Sequence, residues 1–97
     1  MHVVIRKLPM MQNVGEAARR AETGLGPILK KQPGFMGYYV IQLEGGGGGS
    51  ISLFDTAANA KASNQAAMAW IKENLANLPG AEKVEVATGE VLAQVTA

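Results

Sequence analysis

Four side chains in this 97-residue sequence could bind or act on a small aromatic molecule. Tyr38 and Tyr39 carry phenolic hydroxyl groups, Asn64 carries an amide, and Trp70 is the only tryptophan. A tryptophan ring can form one wall of a pocket for a flat ligand, and a tyrosine can donate a proton to a phenolic substrate. Each also has an ordinary structural explanation, because aromatic side chains serve mainly in core packing.

Arg6 and His2 are further candidates, both close to the N-terminus. Arg6 could bind an anionic ligand, but we expect an ion pair with Glu85 or Glu90 on a neighbouring strand. His2 is the only histidine, so it supports neither a Ser-His-Asp triad nor a metal site with recognisable spacing. The absence of cysteine excludes disulfides, thiolate metal sites and a cysteine nucleophile. We expect no metal and no cofactor.

Composition and charge narrow the class of protein. The sequence is 47% hydrophobic and 18% charged, and its length suits one domain, which we place at residues 1–97. Nine basic and eight acidic residues give a net charge of +1, which argues against nucleic acid or an anionic membrane as a partner. No segment approaches the roughly 20 apolar residues of a membrane span, and no signal peptide is evident, so we expect a cytoplasmic protein.

The hydrophobic pattern predicts four strands. They are expected at residues 2–8, 35–43, 50–54 and, in two parts, 83–86 and 90–95. Gly89 would be a bulge or bend in the last strand. The five glycines at 45–49 join two strands and lack the Lys-Ser/Thr ending of a phosphate loop, so we interpret them as a flexible hairpin tip.

Two amphipathic helices are predicted between the strands. The first has an N-cap at Asn13 and should be kinked near residues 23–26, because Pro27 cannot donate a backbone hydrogen bond. The second is capped by residue 55 or 56, keeps an apolar stripe with a helical period, and stops at Pro79.

The element order β-α-β-β-α-β predicts an α+β, ferredoxin-like fold, with an antiparallel sheet and two helices on one face. The other face would be bare in a monomer. The first two strands show no polar alternation, so that face should be apolar and should need a partner. The simplest partner is a second copy, giving a homodimer whose two sheets form a barrel with a cavity in each protomer.

A family resemblance rests on five parts of the chain. They are residues 33–39, the glycine hairpin, residues 51–56, the alanine-rich helix with Trp70, and residues 89–91. Together they resemble the antibiotic biosynthesis monooxygenase-like family over nearly the whole chain. The resemblance implies a dimeric α/β-barrel, ferredoxin-like fold. The family includes cofactor-free monooxygenases that oxidise aromatic polyketides or quinols, haem-degrading enzymes and members with no assigned activity.

Only part of that family's chemistry is present in this sequence. The resemblance implies, for a cofactor-free monooxygenase, an Asn four residues before the Trp of the second helix. Trp70 matches, but Ala66 occupies the other position, and Asn64 lies about 200° around the helix from it. The haem-degrading branch takes its iron ligand, a His, from the helical layer. His2 begins the first strand instead, so no haem is expected.

Two hypotheses for function follow. The first is a cofactor-independent monooxygenase-like protein acting on a small hydrophobic, aromatic substrate, with Trp70, Tyr38, Tyr39 and Asn64 at the cavity. The second is a non-catalytic, small-ligand-binding or stress-associated dimer. An enclosed apolar cavity with convergent polar groups would favour the enzyme, and a filled core would favour the second hypothesis.

Overall fold

Four antiparallel strands form one open sheet, with helices packed on one of its faces. The computed structural model describes residues 1–97. The strands are β1 (His2–Leu8), β2 (Phe35–Gln42), β3 (Gly48–Phe54) and β4 (Glu85–Glu90). The helices are α1 (Val14–Arg20), α2 (Gly26–Lys30) and α3 (Ala57–Asn74), with a π-helical turn at Ala21–Leu25 between the first two. The strand order β2-β3-β1-β4 confirms the predicted ferredoxin-like α+β fold.

The first helical layer is a single bent segment made of α1, the π-helical turn and α2. Asn13 caps its start, where the side-chain oxygen accepts a hydrogen bond from the Glu16 backbone N–H at 3.3 Å. The π-helical turn lies where the sequence predicts a kink. Pro27 falls in the first turn of α2, a position where a helix tolerates a missing N–H.

Trp70 joins the two helical layers. Its half-buried ring lies against Gly24 in the π-helical turn, so close that a Cβ atom built on Gly24 would be 2.8 Å from Trp70 Cζ2. The same ring packs against both groups of buried apolar side chains in the core. The glycine therefore allows α3 and the first helical segment to approach each other.

The core lies between the sheet and the helices, in two neighbouring clusters. One cluster contains Val4, Leu25, Leu29, Phe54, Ala60 and Ala67. The other contains Leu8, Met11, Val14, Ala17, Ile71, Leu75, Leu78 and Ala81. Because side chains alternate along a strand, Arg6 points to this face together with Val4 and Leu8, whereas Ile5 and Lys7 point to the outer face.

The outer face of the sheet is not covered by this chain. Ile5 and Ile41 are each 37% exposed there, and Tyr39 is 59% exposed. Ile51 and Leu53 of β3 lie between them and are partly exposed. The apolar second face expected from the sequence is therefore present. None of the helices is both long enough and apolar enough to cross a membrane.

The fourth strand is shorter than predicted. Residues 83–84 and 91–95 are not part of any strand. Gly89 lies within β4, opposite Val3, and does not form a bend. The reason is the length of the partner. β1 is the only neighbour of β4, and its first residue, His2, already pairs with Glu90. Residues after Glu90 therefore have no strand to pair with, and Leu92 and Val95 are almost fully exposed.

The glycine run is a hairpin tip only in part. Gly45 and Gly46 have open space where a side chain would stand. Gly48 and Gly49 belong to β3 and are buried, and a Cβ atom on Gly49 would lie 2.6 Å from the Arg6 carbonyl oxygen. The prediction of a flexible hairpin tip was therefore wrong for the second half of the run, where close packing requires glycine.

The contact between Gly24 and Trp70 gives a stability prediction. Replacing glycine by alanine in a helix normally stabilises it by up to about 1 kcal/mol. Gly15→Ala in α1 should show that gain, because nothing lies within 4 Å of the added atom. Gly24→Ala should instead lose about 1–3 kcal/mol, because its methyl group would overlap the Trp70 ring. Urea unfolding of both variants tests this, and an equal gain at both positions would contradict the proposed contact.

Candidate functional site

Arg6 is the one charged side chain that is fully buried. It lies on the helix-covered face of β1 between Val4 and Leu8, and it is 0% exposed. The predicted ion pair with Glu85 or Glu90 is wrong. Glu85 pairs with Lys7, whose side chain points to the outer face, and Glu90 pairs with His2, four positions along the strand.

The guanidinium group of Arg6 instead donates to three neutral oxygen atoms. Its Nε atom is 3.1 Å from Ser50 Oγ, and one terminal nitrogen is 2.7 Å from Asn64 Oδ1. The other terminal nitrogen donates to the Ser52 hydroxyl group. We call Arg6, Ser50, Ser52 and Asn64 the arginine cluster. The side-chain hydrogen bonds of this cluster link β1, β3 and α3.

Local sequence patterns place these four residues together. Ser50 and Ser52 alternate with apolar residues along β3, so both hydroxyl groups point to the helix-covered face. β3 pairs directly with β1, and Ser50 lies opposite Arg6 in the register. Asn64 belongs to the sheet-facing stripe of α3, with Ala60 and Ala67 nearby on the same side. The small alanine side chains let the helix come close enough for the amide to reach the guanidinium group.

Tyr38 stands beside the cluster on β2. It pairs with Ser52 in the sheet register and its side chain points to the same face. Burial raises the pKa of the Tyr38 hydroxyl group, while the positive charge of Arg6 and the Ser50 hydroxyl group act in the opposite direction. Burial also lowers the pKa of Arg6, which stays protonated because a free guanidinium group titrates far above neutral pH.

A small apolar cavity lies next to Tyr38 and the arginine cluster. Its volume is about 40 Å³. It is lined by Leu8, Met11, Val14, Ala17, Ala21, Leu25, Tyr38, Val40, Gly48, Gly49, Ser50, Trp70, Ile71 and Leu75. Its polar wall consists of Tyr38 and Ser50. Binding pockets for drug-sized ligands usually measure roughly 300–1,000 Å³, so this cavity has room for a few water molecules in the present conformation.

An open groove runs along the outside of the same wall. It lies between the first helical segment and β2 and is lined partly by Arg19, Lys30 and Phe35. Tyr38 and Val40 line both the groove and the cavity. These two side chains therefore lie between the cavity and the groove, and a change in the Tyr38 rotamer would connect the two spaces.

The structure brings together three of the four predicted site residues. Tyr38 and Trp70 line the cavity, and Asn64 lies behind its polar wall, bonded to Arg6. Tyr39 lies on the outer face of the sheet, away from the other three. The sequence patterns predicted no role for Ser50 or Ser52. Their signal was two hydroxyl side chains that alternate with apolar ones along β3, on the face of the sheet where β1 carries Arg6.

The residues at the cavity do not fit a haem group. His2 does not line the cavity, and a volume of about 40 Å³ is far below that of a porphyrin. No three His, Asp or Glu side chains converge anywhere in the chain. We therefore assign no reaction step to haem or to a metal ion.

The surroundings of Tyr38 give a pH prediction. Wild type should show one tyrosinate absorbance step that Tyr38→Phe lacks. That step should appear above the usual tyrosine pKa of about 10. The folded state holds this proton more tightly than the unfolded state, so the associated stability is complete below pH about 10 and is lost as pH rises through the higher folded pKa. Wild-type stability should thus fall more steeply in that range than stability of Tyr38→Phe. A titration step below pH about 10 would contradict the assignment.

Solved structures with the same fold span this whole chain. A monooxygenase from the gene ActVA-Orf6 of Streptomyces coelicolor, in complex with nanaomycin D, matches with a TM-score of 0.76 and 15% identity, over 99% of this chain and 91% of that one. A variant of MhuD with two manganese protoporphyrin IX molecules per active site matches with a TM-score of 0.74 and 19% identity, over 100% of both chains.

A third structure is SnoaB, a cofactor-independent oxygenase from Streptomyces nogalater. It matches with a TM-score of 0.70 and 9% identity, over 99% of this chain and 96% of that one. No protein-family profile matches the sequence, and no curated protein matches it significantly. The likeness is therefore one of fold, and it agrees with the resemblance seen in the sequence: this chain has the ferredoxin-like fold of the antibiotic biosynthesis monooxygenase-type proteins.

Proposed function

We propose that this protein is a cofactor-independent monooxygenase-like enzyme that oxidises a small hydrophobic, aromatic substrate. The observation that supports this proposal is an apolar cavity next to a cluster of convergent polar groups. Tyr38 and Ser50 form the polar wall, and Trp70 supplies a flat aromatic surface. This combination is the one expected of a small-molecule site.

The comparisons support the same proposal. ActVA-Orf6 is a monooxygenase in complex with nanaomycin D, and SnoaB is a cofactor-independent oxygenase. Both share the fold over nearly the full length of this chain. Since fold alone does not determine activity, the proposed activity depends mainly on the cavity and its polar wall.

In such a reaction the substrate supplies the electrons. An activated carbon that loses two hydrogen atoms and gains a carbonyl oxygen gives four electrons to O₂, whose second oxygen atom leaves as water. An electron-rich substrate carbanion can react with oxygen itself. The protein then contributes burial, orientation and hydrogen bonds. Here Trp70 would orient the aromatic plane, and Tyr38 and Ser50 would hold the substrate oxygen.

Substrate entry requires the cavity to enlarge. The groove beside β2 leads directly to the wall formed by Tyr38 and Val40. If Tyr38 moves aside, the groove and the cavity form one continuous space. We therefore place the entrance between α1 and β2, with Tyr38 as its movable wall.

A non-catalytic ligand-binding role is the alternative function, and two observations favour it. The cavity has a volume of only about 40 Å³. In addition, Ala66 occupies the position where the family resemblance implies a functional Asn. Oxygen uptake in the presence of electron-rich aromatic compounds separates the two proposals, since only the enzyme consumes oxygen faster than the compound does alone.

We further propose a homodimer formed through the outer face of the sheet. Ile5, Tyr39 and Ile41 expose apolar surface there, and no element of this chain covers it. A chain of this size also buries little surface alone, so association would stabilise it. The cysteine-free sequence is compatible with the reducing cytoplasm, which is our proposed location.

Two matched variants test the active-site assignment. Tyr38→Phe and Tyr39→Phe each remove one hydroxyl group from the same strand, but only Tyr38 faces the cavity. We expect Tyr38→Phe to lower kcat/KM for oxygen uptake by about 10²-fold or more, the size of a typical proton-transfer or hydrogen-bond contribution. Tyr39→Phe should stay near wild type. Oxygen-electrode measurements with anthrone and a naphthohydroquinone give the rates, and equal effects at both positions would refute the assignment.

The dimer proposal has its own matched pair. Ile5 and Ile28 are 37% and 39% exposed, but Ile5 lies at the centre of the open sheet face and Ile28 lies on α2. Ile5→Lys should convert the dimer to a monomer, because a charge would be buried in an apolar interface. Ile28→Lys should leave the mass unchanged. Light scattering at micromolar concentration measures both, and a monomeric wild type would rule out the dimer.

A further inference from the structure

The buried charge of Arg6 has no anionic partner in this chain. Its hydrogen bonds go to three neutral oxygen atoms, and the ionisable group whose charge acts on it is the Tyr38 phenol. An ordinary phenol is neutral at pH 7. A guanidinium group has five N–H donors, so three hydrogen bonds leave two N–H groups without an acceptor. Buried charges in proteins are normally paired, and this one is hydrogen-bonded but not neutralised.

Two hydroxyl groups connect this charge to the cavity. Ser50 Oγ accepts the Arg6 Nε–H, the Ser50 hydroxyl group also acts on the Tyr38 phenol, and both Ser50 and Tyr38 line the cavity wall. A ligand oxygen at this wall would accept hydrogen bonds from hydroxyl groups that the guanidinium group polarises. Such donors, fixed in a site with little water, bind an oxyanion more strongly than a neutral oxygen.

The rest of the cavity selects a flat apolar body. Leu25, Ile71 and Trp70 contribute to its lining, and no carboxylate lines it. Negative charge at the polar wall would thus face a buried cation and no competing anion. The same cavity offers nothing to neutralise a positively charged ligand.

We infer that the polar wall of this cavity is an oxyanion site, which binds a flat aromatic ligand as its phenolate or enolate, with Arg6 as the compensating charge. The inference rests on the proposed function, because it names the ionic form in which the same cavity takes its substrate. Ionisation leaves the electron pair of the O–H bond on the ligand oxygen, and the proton passes to solvent or buffer. No oxidant takes part in this step, so it can be observed without turnover.

The alternative is that Arg6 serves only to hold β1, β3 and α3 together. In that case the cavity would have no preference for an anion, and loss of the arginine would affect stability alone. Arg6→Met removes the charge and also leaves the oxygen atoms of Ser50, Ser52 and Asn64 without their donor, so a loss of stability is expected in either case. The ionic form of a bound ligand, which only a functional charge would change, therefore distinguishes the two roles.

The probe is para-nitrophenol, because its phenolate absorbs visible light and its neutral form does not. We expect the pKa of the bound probe to fall by about one unit or more relative to solution, the shift typical of an acid close to a buried arginine. The uncharged analogue para-nitroanisole serves as the control for apolar contacts and should bind equally to wild type and Arg6→Met. In Arg6→Met the bound probe should lose its pKa shift, whatever the change in melting temperature.

Arg6→Lys covers the case in which Arg6→Met does not fold. It keeps the charge without the planar fork, so it should retain part of the shift. Failure of para-nitrophenol to bind, an unshifted or raised pKa in the wild type, or the same shift in Arg6→Met would each overturn the inference. A clear shift without oxygen uptake from any aromatic compound would uphold the oxyanion site and remove the proposed enzyme activity.

Discussion

The alternation of β1 places a charged side chain inside the core of a very small domain. Val4, Arg6 and Leu8 share one face of the central strand, and that face is sealed by helices. A guanidinium group in this position must be hydrogen-bonded, since an unsatisfied buried charge would cost several kcal/mol. Ser50, Ser52 and Asn64 meet this requirement from two other elements. The register of β1 with β3 and the rotation of α3 are thereby tied to one side chain.

The same alternation decides what happens on the outer face. Ile5 of β1 and Ile51 and Leu53 of β3 alternate with the inward residues, so the sheet also has apolar surface on its outer side, and the chain has helices for only one side. The bent first helical segment and α3 meet across Gly24 and Trp70, and together they cover the inner side. The cavity lies at that junction. Packing between helices and the volume of the cavity are therefore set by the same contact.

Much of the fold follows from periodicity, and the predictions that were wrong depended on residues distant in sequence. The first strand, the bend before Pro27 and the inward stripe of α3 could be predicted because each depends on residues near in sequence. The end of β4 depends on where its partner β1 begins, which no local pattern in residues 90–95 shows. Glycines 48 and 49 were predicted to lie in a flexible hairpin tip, because the residues that require glycine there by close packing are distant in sequence.

The candidate site shows the same division between local and distant information. Arg6 on its strand suggested an ion pair with Glu85 or Glu90, because both glutamates were expected on a neighbouring strand. The directions of the side chains explain the actual partners. Glu85 pairs with Lys7, whose side chain points to the outer face, whereas the two serines of β3 point to the helix-covered face with Arg6. Tyr38 and Tyr39 could be assigned to opposite faces from the sequence, but only the topology shows which of them meets the helices.

The arginine cluster also bears on how this chain would differ from other proteins with its fold. The family resemblance implies an amide on the helix four residues before the tryptophan, and this sequence has Ala66 there. Its nearby amide, on Asn64, is already engaged by Arg6 at 2.7 Å. Polar groups reach the cavity from the sheet instead, through Ser50 and Tyr38. A helix amide is neutral, whereas a sheet arginine brings a full positive charge in a medium of low dielectric. Under the oxyanion proposal, negative charge on a ligand in this cavity would therefore be stabilised from the sheet, by Arg6, and not by an amide on the helix.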